Sequence, residues 1–403
     1  MTDYPYLAEK YPFGKPERLD LHPRYLELLR AEMPLARVSL PYGGDAWLAT
    51  RYQDVKFVLA DQRFSREASA VLADPPRLLA APLPKASLAT TDAPEHTRLR
   101  QVLVRAFTKR RVDELRPYAA TQAAVLIRKM MENGHPADLV AHVARPLPAK
   151  IICDVLGVPD SDRHQLQAWV DSSFTLDQTG KTISGARAGL AEYLTRMFDE
   201  RRNQAKKEDL LGVLLAACDD EKIISPKEMV QLAGAVVVTG HETTVNQIGN
   251  LCYLLLTESR LWEQIRSNRD LIPSAVEELL RYVPLPAVAT VVPRIATEDV
   301  YIGNQLVKKG EAVILQMAVA NRDPSIFTNP DDIDFHRSQS PHLAFGHGAH
   351  YCLGAQLARM ELQVVFESLA TQLPDLALAI PPGEISWRYN QMMRSIEELP
   401  VTW

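Results

Sequence analysis

The 403-residue sequence has few cysteines, no excess of basic residues and no long apolar run near its start. Its four cysteines are Cys153, Cys218, Cys252 and Cys352. Because they are far apart, a disulfide framework is not expected and a reducing cytoplasm is the simpler inference. The formal net charge of −5 gives no support for nucleic acid as a partner. Since the first residues lack an export signal or an apolar span of about 20 residues, we expect a soluble cytoplasmic protein that binds no membrane.

The chain is long enough and apolar enough to form a large folded core. Hydrophobic residues make up 46% of the sequence, enough to bury a large core in one large domain or in two smaller ones. Helical patterns predominate between residues 112 and 210, and no internal repeat is present. Composition therefore indicates a folded, largely helical protein and leaves the number of domains open.

One cysteine follows a glycine-rich, histidine-bearing loop. Cys352 precedes residues 355–362, which read as the start of an amphipathic helix. The unpaired N–H groups and the positive dipole end of that helix would stabilise a thiolate, which is the form that ligates metal. Gly348 and Gly354 allow sharp turns and a close approach to a flat partner. This combination suits a single cysteine that holds a large planar metal cofactor.

Two other interpretations of this loop are available from the residues alone. An isolated cysteine is usually a buried structural residue in a tight turn. A zinc site made of His347, His350 and Cys352 lacks ligands, because no second Cys/His cluster lies within short reach.

The loop resembles the haem-binding signature of the cytochrome P-450 superfamily. That signature is phenylalanine, two residues, glycine, three residues, cysteine, one residue and glycine, and Phe345, Gly348, Cys352 and Gly354 occupy those places. The resemblance implies that Cys352 is the axial thiolate ligand of haem b iron. It also implies that Phe345 packs near the sulfur and that His350 binds a haem propionate.

A basic pair lies in residues 94–107. His96 and Arg100 are four residues apart and share one face of a predicted helix, although such a pair is more often an exposed basic face. The resemblance implies that both bind haem propionates, as it also does for Arg294. Arg105 and residues 109–111 extend the positive charge along a surface where, in the family, an acidic electron donor docks.

A long helix is predicted from Pro226 to about Thr257. Ser225 is a suitable cap, proline fits the first helical position, and Glu228 can complete a capping box. The helix would span on the order of 45 Å. Its middle is apolar but contains threonines, whose hydroxyls can bond the carbonyl four residues back and distort the helix. The alternative is an ordinary core helix with a few satisfied polar residues.

The middle of this helix resembles the family's central helix, which carries alanine or glycine, then glycine, any residue, an acid and threonine. Gly240, Glu242 and Thr243 match the last places of that motif. The resemblance implies a catalytic pair, in which Thr243 hydrogen-bonds dioxygen or its water and Glu242 links the site to bulk protons. Thr239 departs from the small first residue, and we expect both Thr239 and Gly240 beside the distal face of haem.

Substrate contacts are expected from several apolar stretches. The irregular segment 68–93 is too apolar for a plain linker, and in the family this loop covers the substrate. Residues 287–292 are rich in β-branched residues and predict an edge strand beside Pro293. Family placement and helical spacing give the expected contacts as Val71, Leu88, Leu232, Val236, Ala287, Val288, Val291, Met392 and Met393. The methionines could equally be core filling.

A further motif joins Glu278 and Arg281, which are three residues apart and can pair on one helix. Alone, they would be an ordinary surface pair. They match the family's glutamate, two residues, arginine motif, which implies a structural ion pair with Arg337 as its third member.

The resemblance covers nearly the whole chain. It implies a mainly α protein with a smaller β-rich region, in which residues 1–403 form a single cytochrome P-450 domain with a long central helix over haem. The implied activity is monooxygenation, in which a bulky small molecule of natural-product biosynthesis is hydroxylated or epoxidised with dioxygen. Electrons would come from a ferredoxin and its reductase.

Two alternatives to monooxygenation stay open at this point. The same haem could catalyse oxidative coupling, cyclisation or desaturation. A non-catalytic haem sensor belongs to a different class, and Glu242 and Thr243 argue against it because a passive binder needs neither.

Overall fold

A computed structural model of the chain describes most of its residues. The described residues are 8–14, 17–80, 83–85, 87–174, 181–204, 209–286, 290, 292–389 and 391–403. Within these ranges no helix combines the length and the apolar character that crossing a membrane would require.

Helices make up most of the described structure. Fourteen α-helices lie in the described ranges: α1 Pro23–Arg30, α2 Tyr52–Ala60, α3 Glu67–Val71, α4 Glu95–Val104, α5 Lys109–Glu132, α6 Pro146–Leu156, α7 Arg163–Phe174, α8 Lys181–Arg202, α9 Leu210–Leu215, α10 Pro226–Thr257, α11 Ser259–Ser267, α12 Ile272–Tyr282, α13 Met317–Ala320 and α14 Ala355–Gln372. Two π-helical turns, Val140–Ala144 and Ala216–Asp220, connect directly to α6 and α9.

The strands are short: β1 Glu9–Lys10, β2 Leu35–Ser39, β3 Asp45–Ala49, β4 Phe64–Ser65, β5 Ala137–Asp138, β6 Arg294–Ala296, β7 Val300–Ile302, β8 Gln305–Val307, β9 Ala312–Leu315, β10 Ala377–Leu378, β11 Trp387–Arg388, β12 Ser395–Ile396 and β13 Pro400–Thr402. The largest sheet has the order β1-β2-β3-β9-β6-β4, and β10-β13-β5 forms a second sheet. The predicted fold class, mainly α with a smaller β-rich region, is confirmed.

Strands β2 and β3 form a hairpin, with Leu35 opposite Ala49. Gly43 in its turn has φ +73°, and a Cβ there would lie 2.1 Å from the carbonyl oxygen of Pro75. The backbone N–H of Arg77 donates to the carbonyl of Tyr42 at 2.9 Å. The segment after α3 is therefore held against the hairpin at a position that tolerates only glycine.

The edge strand predicted beside Pro293 was wrong in position. The strand β6 begins after the proline, at Arg294, and lies between β9 and β4, so it is not an edge strand. The described residues of the predicted stretch, Thr290 and Val292, are not in a strand. Proline lacks the N–H that a sheet ladder needs, so the strand starts beyond it.

The helix α10 has the predicted bounds and the predicted capping box. The Ser225 side chain accepts from the N–H of Glu228, and the Glu228 carboxylate accepts from the N–H of Ser225 at 2.7 Å. At 1.5 Å per residue, its 32 residues span about 48 Å. Its first half packs in an apolar cluster with α6, α8 and α9, and its second half packs in another with α5, α12 and α14. The helix therefore joins the two largest apolar clusters.

The ion pair predicted on α12 lies in the core. Arg281 donates from Nε and Nη2 to the two carboxylate oxygens of Glu278, both at 2.8 Å, and its side chain is fully buried. Arg337 donates to the same carboxylate at 3.0 Å. Burial works to raise the pKa of Glu278, but hydrogen bonds and charge from Arg281 outweigh it and leave that pKa below its ordinary value. The triad ties α12 to the segment before the cysteine loop.

Replacing Arg281 should destabilise the fold strongly. We expect Arg281→Met to lower the free energy of unfolding by about 3–5 kcal/mol, because a buried carboxylate loses its main partner. Urea denaturation measures the change. Arg266→Met is the control, since Arg266 and Glu263 form a surface pair at 2.7 Å with 40% and 54% exposed side chains. That variant should lose at most about 1 kcal/mol, and equal losses in the two variants would contradict the assignment of the triad to the core.

Candidate active site

A cavity of about 380 Å³ lies between α10 and the cysteine loop before α14. The expected site residues on its wall are Val236, Thr239, Gly240, Thr243, Phe345, His350, Cys352 and Gly354. The structure thus brings residues from two distant sequence motifs onto opposite sides of one space.

The cysteine loop is shaped by backbone contacts. The N–H of Cys352 donates to the carbonyl of Phe345 at 2.9 Å and closes the loop. Gly348 has φ +72°, and a Cβ there would lie 2.6 Å from the carbonyl oxygen of Leu59 at the end of α2. Gly354 caps α14, and a Cβ there would meet no atom within 4 Å. The loop is therefore pressed against protein at Gly348 and open at Gly354.

The environment of Cys352 differs in part from the prediction. Its side chain is exposed where it lines the cavity, while the surrounding protein shields the thiol from bulk solvent. This burial raises the pKa of the Cys352 thiol, and the opposing effects of the Gly354 N–H and of the Arg100 and Arg359 charges do not overcome it. The helix start alone thus does not ionise the sulfur. A metal ion would supply the remaining driving force, because a coordinating thiol is deprotonated.

Two histidines from different motifs meet at one end of the cavity. The ring centroids of His96 and His350 are 4.0 Å apart. Burial, with the charges of nearby arginines, lowers the pKa of His96 to about 4 and that of His350 to about 2. Both imidazoles are therefore neutral at physiological pH. Nε2 of His96 is buried and has no hydrogen-bond partner among the described residues.

Three arginines surround the histidines. Arg294 is 3% exposed, and its Nη2 has no hydrogen-bond partner in the described part of the chain. Burial and the charge of Arg66 hold the pKa of Arg294 well below its ordinary value. Arg100 donates to the carbonyl of Tyr351 at 2.6 Å. This end of the cavity, which we call the polar end, therefore has buried donors and positive charge that an anionic partner would balance.

Arg66 is the arginine that the sequence reasoning missed. It lines the cavity, and its Nη1 donates to the carbonyl of Ala89 at 3.0 Å. Burial lowers its pKa to about 10, and the nearby Asp92 carboxylate only partly offsets this effect. Arg66 stands in no recognisable motif, so no sequence signal marked it. The donors at this end match the two carboxylates of a haem, and the residues present fit that cofactor.

Thr239 and Thr243 of α10 both line the cavity. Oγ1 of Thr239 donates to the carbonyl of Ala235, and Oγ1 of Thr243 donates to the carbonyl of Thr239, both at 2.7 Å. These are the predicted bonds to the carbonyl four residues back, yet α10 continues without a break. A Cβ on Gly240 would lie 3.0 Å from Cδ1 of Ile152, so glycine here permits close packing on α6.

Glu242 points away from the cavity wall. It is 5% exposed, and its Oε1 accepts from Nδ2 of Asn246 at 3.2 Å. Nδ1 of His241 lies 3.8 Å from its other oxygen. A second acid, which sequence reasoning missed, is on the wall instead. Burial raises the pKa of Glu361 well above its ordinary value, so this carboxyl is neutral.

The expected substrate contacts have different positions relative to the cavity. Val236 lines the cavity, whereas Leu232 is buried in the apolar cluster beside it. Val71 ends α3 and is 53% exposed, away from the wall. Leu88, Met392 and Met393 pack on the apolar cluster that holds the first half of α10. Ala287, Val288 and Val291 lie outside the described residues.

Other apolar residues line the cavity where substrate contacts were expected. Leu285 and Pro286 follow α12, and Met317 begins α13. Met393 forms a backbone bridge with Pro286, so the segment that carries Met392 and Met393 lies beside this wall. Leu285, Pro286 and Met317 belong to no sequence motif. Their positions on the wall depend on how the segments after α12 and before α13 pack.

The basic surface expected near α4 and α5 is largely balanced by acids. Arg105 pairs with Glu221 at 2.8 Å, and Lys109 pairs with Asp113 at 2.6 Å. Arg110 pairs with Glu114 at 2.9 Å. The net positive field of this surface is therefore smaller than the count of basic residues suggests.

Comparison with known proteins identifies the relatives of the chain. A family model described as Cytochrome P450 matches residues 41–370. Nocardicin C N-oxygenase of Nocardia uniformis subsp. tsuyamanensis is 48% identical over 399 residues, which cover 98% of this chain and 99% of that protein. Mycinamicin IV hydroxylase/epoxidase of Micromonospora griseorubida is 43% identical over 394 residues, with 98% of each chain covered.

The fold comparison agrees with the sequence comparison. The crystal structure of HinD with NMFT and NO matches with a TM-score of 0.92 and 42% identity, over 98% of this chain and 99% of that one.

Removing the buried charge of Arg294 should weaken haem retention without lowering the stability of the apoprotein. We expect Arg294→Leu to weaken haem retention roughly 10- to 100-fold, because charge-assisted hydrogen bonds are worth about 1.5–3 kcal/mol. The same change should not lower the unfolding free energy of the apoprotein, since it removes a buried charge whose Nη2 has no hydrogen-bond partner among the described residues. Haem transfer to apomyoglobin and urea denaturation measure the two effects.

Arg260→Leu is the matched control, because the Arg260 side chain on α11 is 63% exposed. It should change neither quantity. Loss of apoprotein stability in Arg294→Leu together with unchanged haem retention would contradict this account of the polar end.

Proposed function

Because the chain belongs to the cytochrome P450 family of haem monooxygenases, we propose that it hydroxylates or epoxidises a bulky small molecule of bacterial secondary metabolism with dioxygen. The observation that carries the proposal is the single cavity bounded by Cys352 on one side and by Thr239 and Thr243 on the other. The relatives support the substrate class, since one is a nocardicin C N-oxygenase and another a mycinamicin IV hydroxylase/epoxidase.

The cofactor would be haem b, with Cys352 as the iron ligand. Its two propionates would be held by His96, Arg100, Arg294 and His350, with Arg66 as an additional donor. The buried donors without partners and the excess of positive charge at this end of the cavity support that arrangement. When bound, haem iron would activate dioxygen so that one oxygen atom enters the substrate and the other leaves as water.

The residues of α10 would control protons and water. The Thr243 hydroxyl donates its hydrogen to the Thr239 carbonyl, so its oxygen lone pairs remain available to accept from a water in the cavity. Glu242, buried beside Asn246, would hold protons behind that wall. Supply of protons at defined atoms, with bulk water excluded, is a standard means of directing acid–base steps.

Substrate binding would rest mainly on apolar contact. Val236, Leu285 and Met317 form part of the wall, while Thr239 and Thr290 offer hydroxyl groups at fixed places. Apolar walls with a few polar groups are typical of small-molecule sites. A bulky, largely apolar substrate with few polar groups fits this lining.

A separate ferredoxin and its reductase would supply the electrons. The resemblance to bacterial members of the family supports this partner. The partly balanced basic surface on α4 and α5 would attract an acidic donor with a modest positive electrostatic field. We also propose that residues 1–403 form one domain that works in the cytoplasm. The helix α10, which joins the two largest apolar clusters, supports the single domain. None of the four cysteines, all within the described residues, forms a disulfide, which supports the compartment.

Thiolate ligation is tested with carbon monoxide. Dithionite-reduced protein under carbon monoxide should show the red-shifted Soret band of a cysteine thiolate ligand. Cys352→Ser should lose this band, whereas Cys252→Ala should keep it, because Cys252 is buried in the cluster around the second half of α10. A haem-loaded native protein without the band would overturn the proposed site.

Substrate-induced spectral shifts across a library of bacterial metabolites would then identify the substrate. Product analysis under labelled dioxygen would distinguish oxygen insertion from oxidative coupling.

The role of Thr243 is tested by the coupling of electrons to product. Thr243→Ala should still bind haem and substrate but should divert electrons to peroxide or water, because a hydrogen-bonding partner and its ordered water are lost. The measurement is product formed per NAD(P)H consumed. Thr243→Ser keeps the hydroxyl and should stay close to the native ratio. An unchanged ratio in the alanine variant would mean that the proton route lies elsewhere.

A further inference from the structure

A network of charged and aromatic side chains lies behind the cysteine loop, and nothing in the proposed mechanism uses it. It consists of Glu277, His342, Phe345, Tyr351 and Arg359, and we call it the Arg359 network. Of these five residues, only Phe345 was expected to lie near the cofactor, through the resemblance of the cysteine loop.

The Arg359 side chain is held from three directions. Its Nε and Nη2 donate to the two carboxylate oxygens of Glu277 on α12 at 2.6 and 2.9 Å. Its Nη1 donates to the hydroxyl of Tyr351, the residue before Cys352, at 3.2 Å. Its guanidinium carbon lies 4.5 Å from the ring centroid of Phe345, within cation–π range. One cation therefore contacts both ends of the loop that carries the cysteine.

His342 completes the network on the other side of Glu277. Its Nδ1 accepts from the N–H of Ala344 at 3.2 Å, so its hydrogen is on Nε2, which donates to Glu277 at 3.1 Å. Burial works to raise the pKa of Glu277, but hydrogen bonds from His342 and Arg359 outweigh it and bring that pKa to about 2. The carboxylate is thus ionised and balances the charge of Arg359.

The positive charge of Arg359 lies against residues on both sides of Cys352 in the loop. The N–H of Cys352 donates to the carbonyl of Phe345, the residue whose ring Arg359 covers. Two arginines contact the residue next to the cysteine, since Arg359 donates to the hydroxyl of Tyr351 and Arg100 donates to its carbonyl. Arg100 belongs to the donors at the polar end of the cavity, whereas Arg359 is paired with a protein carboxylate. Its effect on the sulfur therefore depends on that carboxylate.

We propose that Arg359 is a positioning residue that sets how strongly the Cys352 sulfur donates electrons to its metal, and that Glu277, oriented by His342, sets how much of the Arg359 charge the sulfur experiences. The inference deepens the proposed function and rests on ligation by Cys352. Hydrogen bonds and charges around a ligand sulfur are known determinants of the reduction potential of a bound iron.

Removing the charge of Glu277 and removing the charge of Arg359 should shift the reduction potential of the bound iron in opposite directions. Removing the carboxylate charge of Glu277 leaves the Arg359 charge unbalanced, so the sulfur donates less and the reduction potential becomes more positive. Removing the Arg359 charge leaves the sulfur more electron-rich, so the potential becomes more negative. A network that only supported the loop would move the potential in the same direction in both variants.

The experiment is a spectroelectrochemical titration of haem-loaded, substrate-free protein. Glu277→Gln should shift the reduction potential in the positive direction and Arg359→Gln in the negative direction, and the double variant should lie between them. Glu367→Gln is the matched control. It breaks the ion pair of Glu367, which lies on α14 like Arg359, with Arg116 of α5 at 3.1 Å, and it should leave the reduction potential unchanged.

Carbon monoxide spectra distinguish failure of ligation by Cys352 from failure of the role proposed for Arg359. If the native protein lacks the red-shifted band, ligation by Cys352 fails and this inference fails with it. If the native band is present, shifts of the same sign in the two variants, or no shift in either, overturn the inference alone. Should Arg359→Gln lose haem, Arg359→Lys decides, because it keeps the cation and should lie closer to the native potential than Glu277→Gln does.

Discussion

The structure depends on a group of buried donors that the protein itself does not satisfy. Arg294 is almost fully buried without a partner for its Nη2 among the described residues, and the neutral His96 lies against His350 close by. Burial of unpartnered charge is costly, and an anionic ligand recovers much of that cost. The two carboxylates of a haem have the charge that this end of the cavity lacks. We therefore expect haem binding to stabilise the fold as well as to supply its chemistry.

The helix α12 provides the rigid support for the cysteine loop. Its consecutive glutamates serve different partners. Glu278 pairs with Arg281 and Arg337 in the core, and Glu277 pairs with Arg359 behind the loop. Both carboxylates have lowered pKa values because arginine hydrogen bonds outweigh the effect of burial. The same short helix thus joins the part of the fold that must be stable to the part that must hold the sulfur in place.

The cavity wall opposite the sulfur contains only some of the residues that the family resemblance placed there. Thr239 and Thr243 line the cavity as their helical spacing predicts, because positions four apart share a helix face. Val71 and Leu88, which were chosen from an irregular segment, do not line it. No repeating geometry relates one side chain to the next in such a segment. The lining residues Leu285, Pro286 and Met317 come from turns and a short helix whose positions depend on their packing.

Features built from residues that are close together in the chain could be predicted without the structure. The bounds of α10, its capping box, the hairpin at Gly43, the start of α14 after Cys352 and the Glu278–Arg281 pair all follow from residues a few positions apart, where backbone geometry sets the distances. Contacts between residues that are far apart in the chain became visible only in the folded protein. Arg66 joins the histidines at the polar end, Glu361 faces the cavity, and Arg359 pairs with Glu277 across 82 residues of chain. Their meeting depends on how helices and loops pack, and no local pattern encodes that distance.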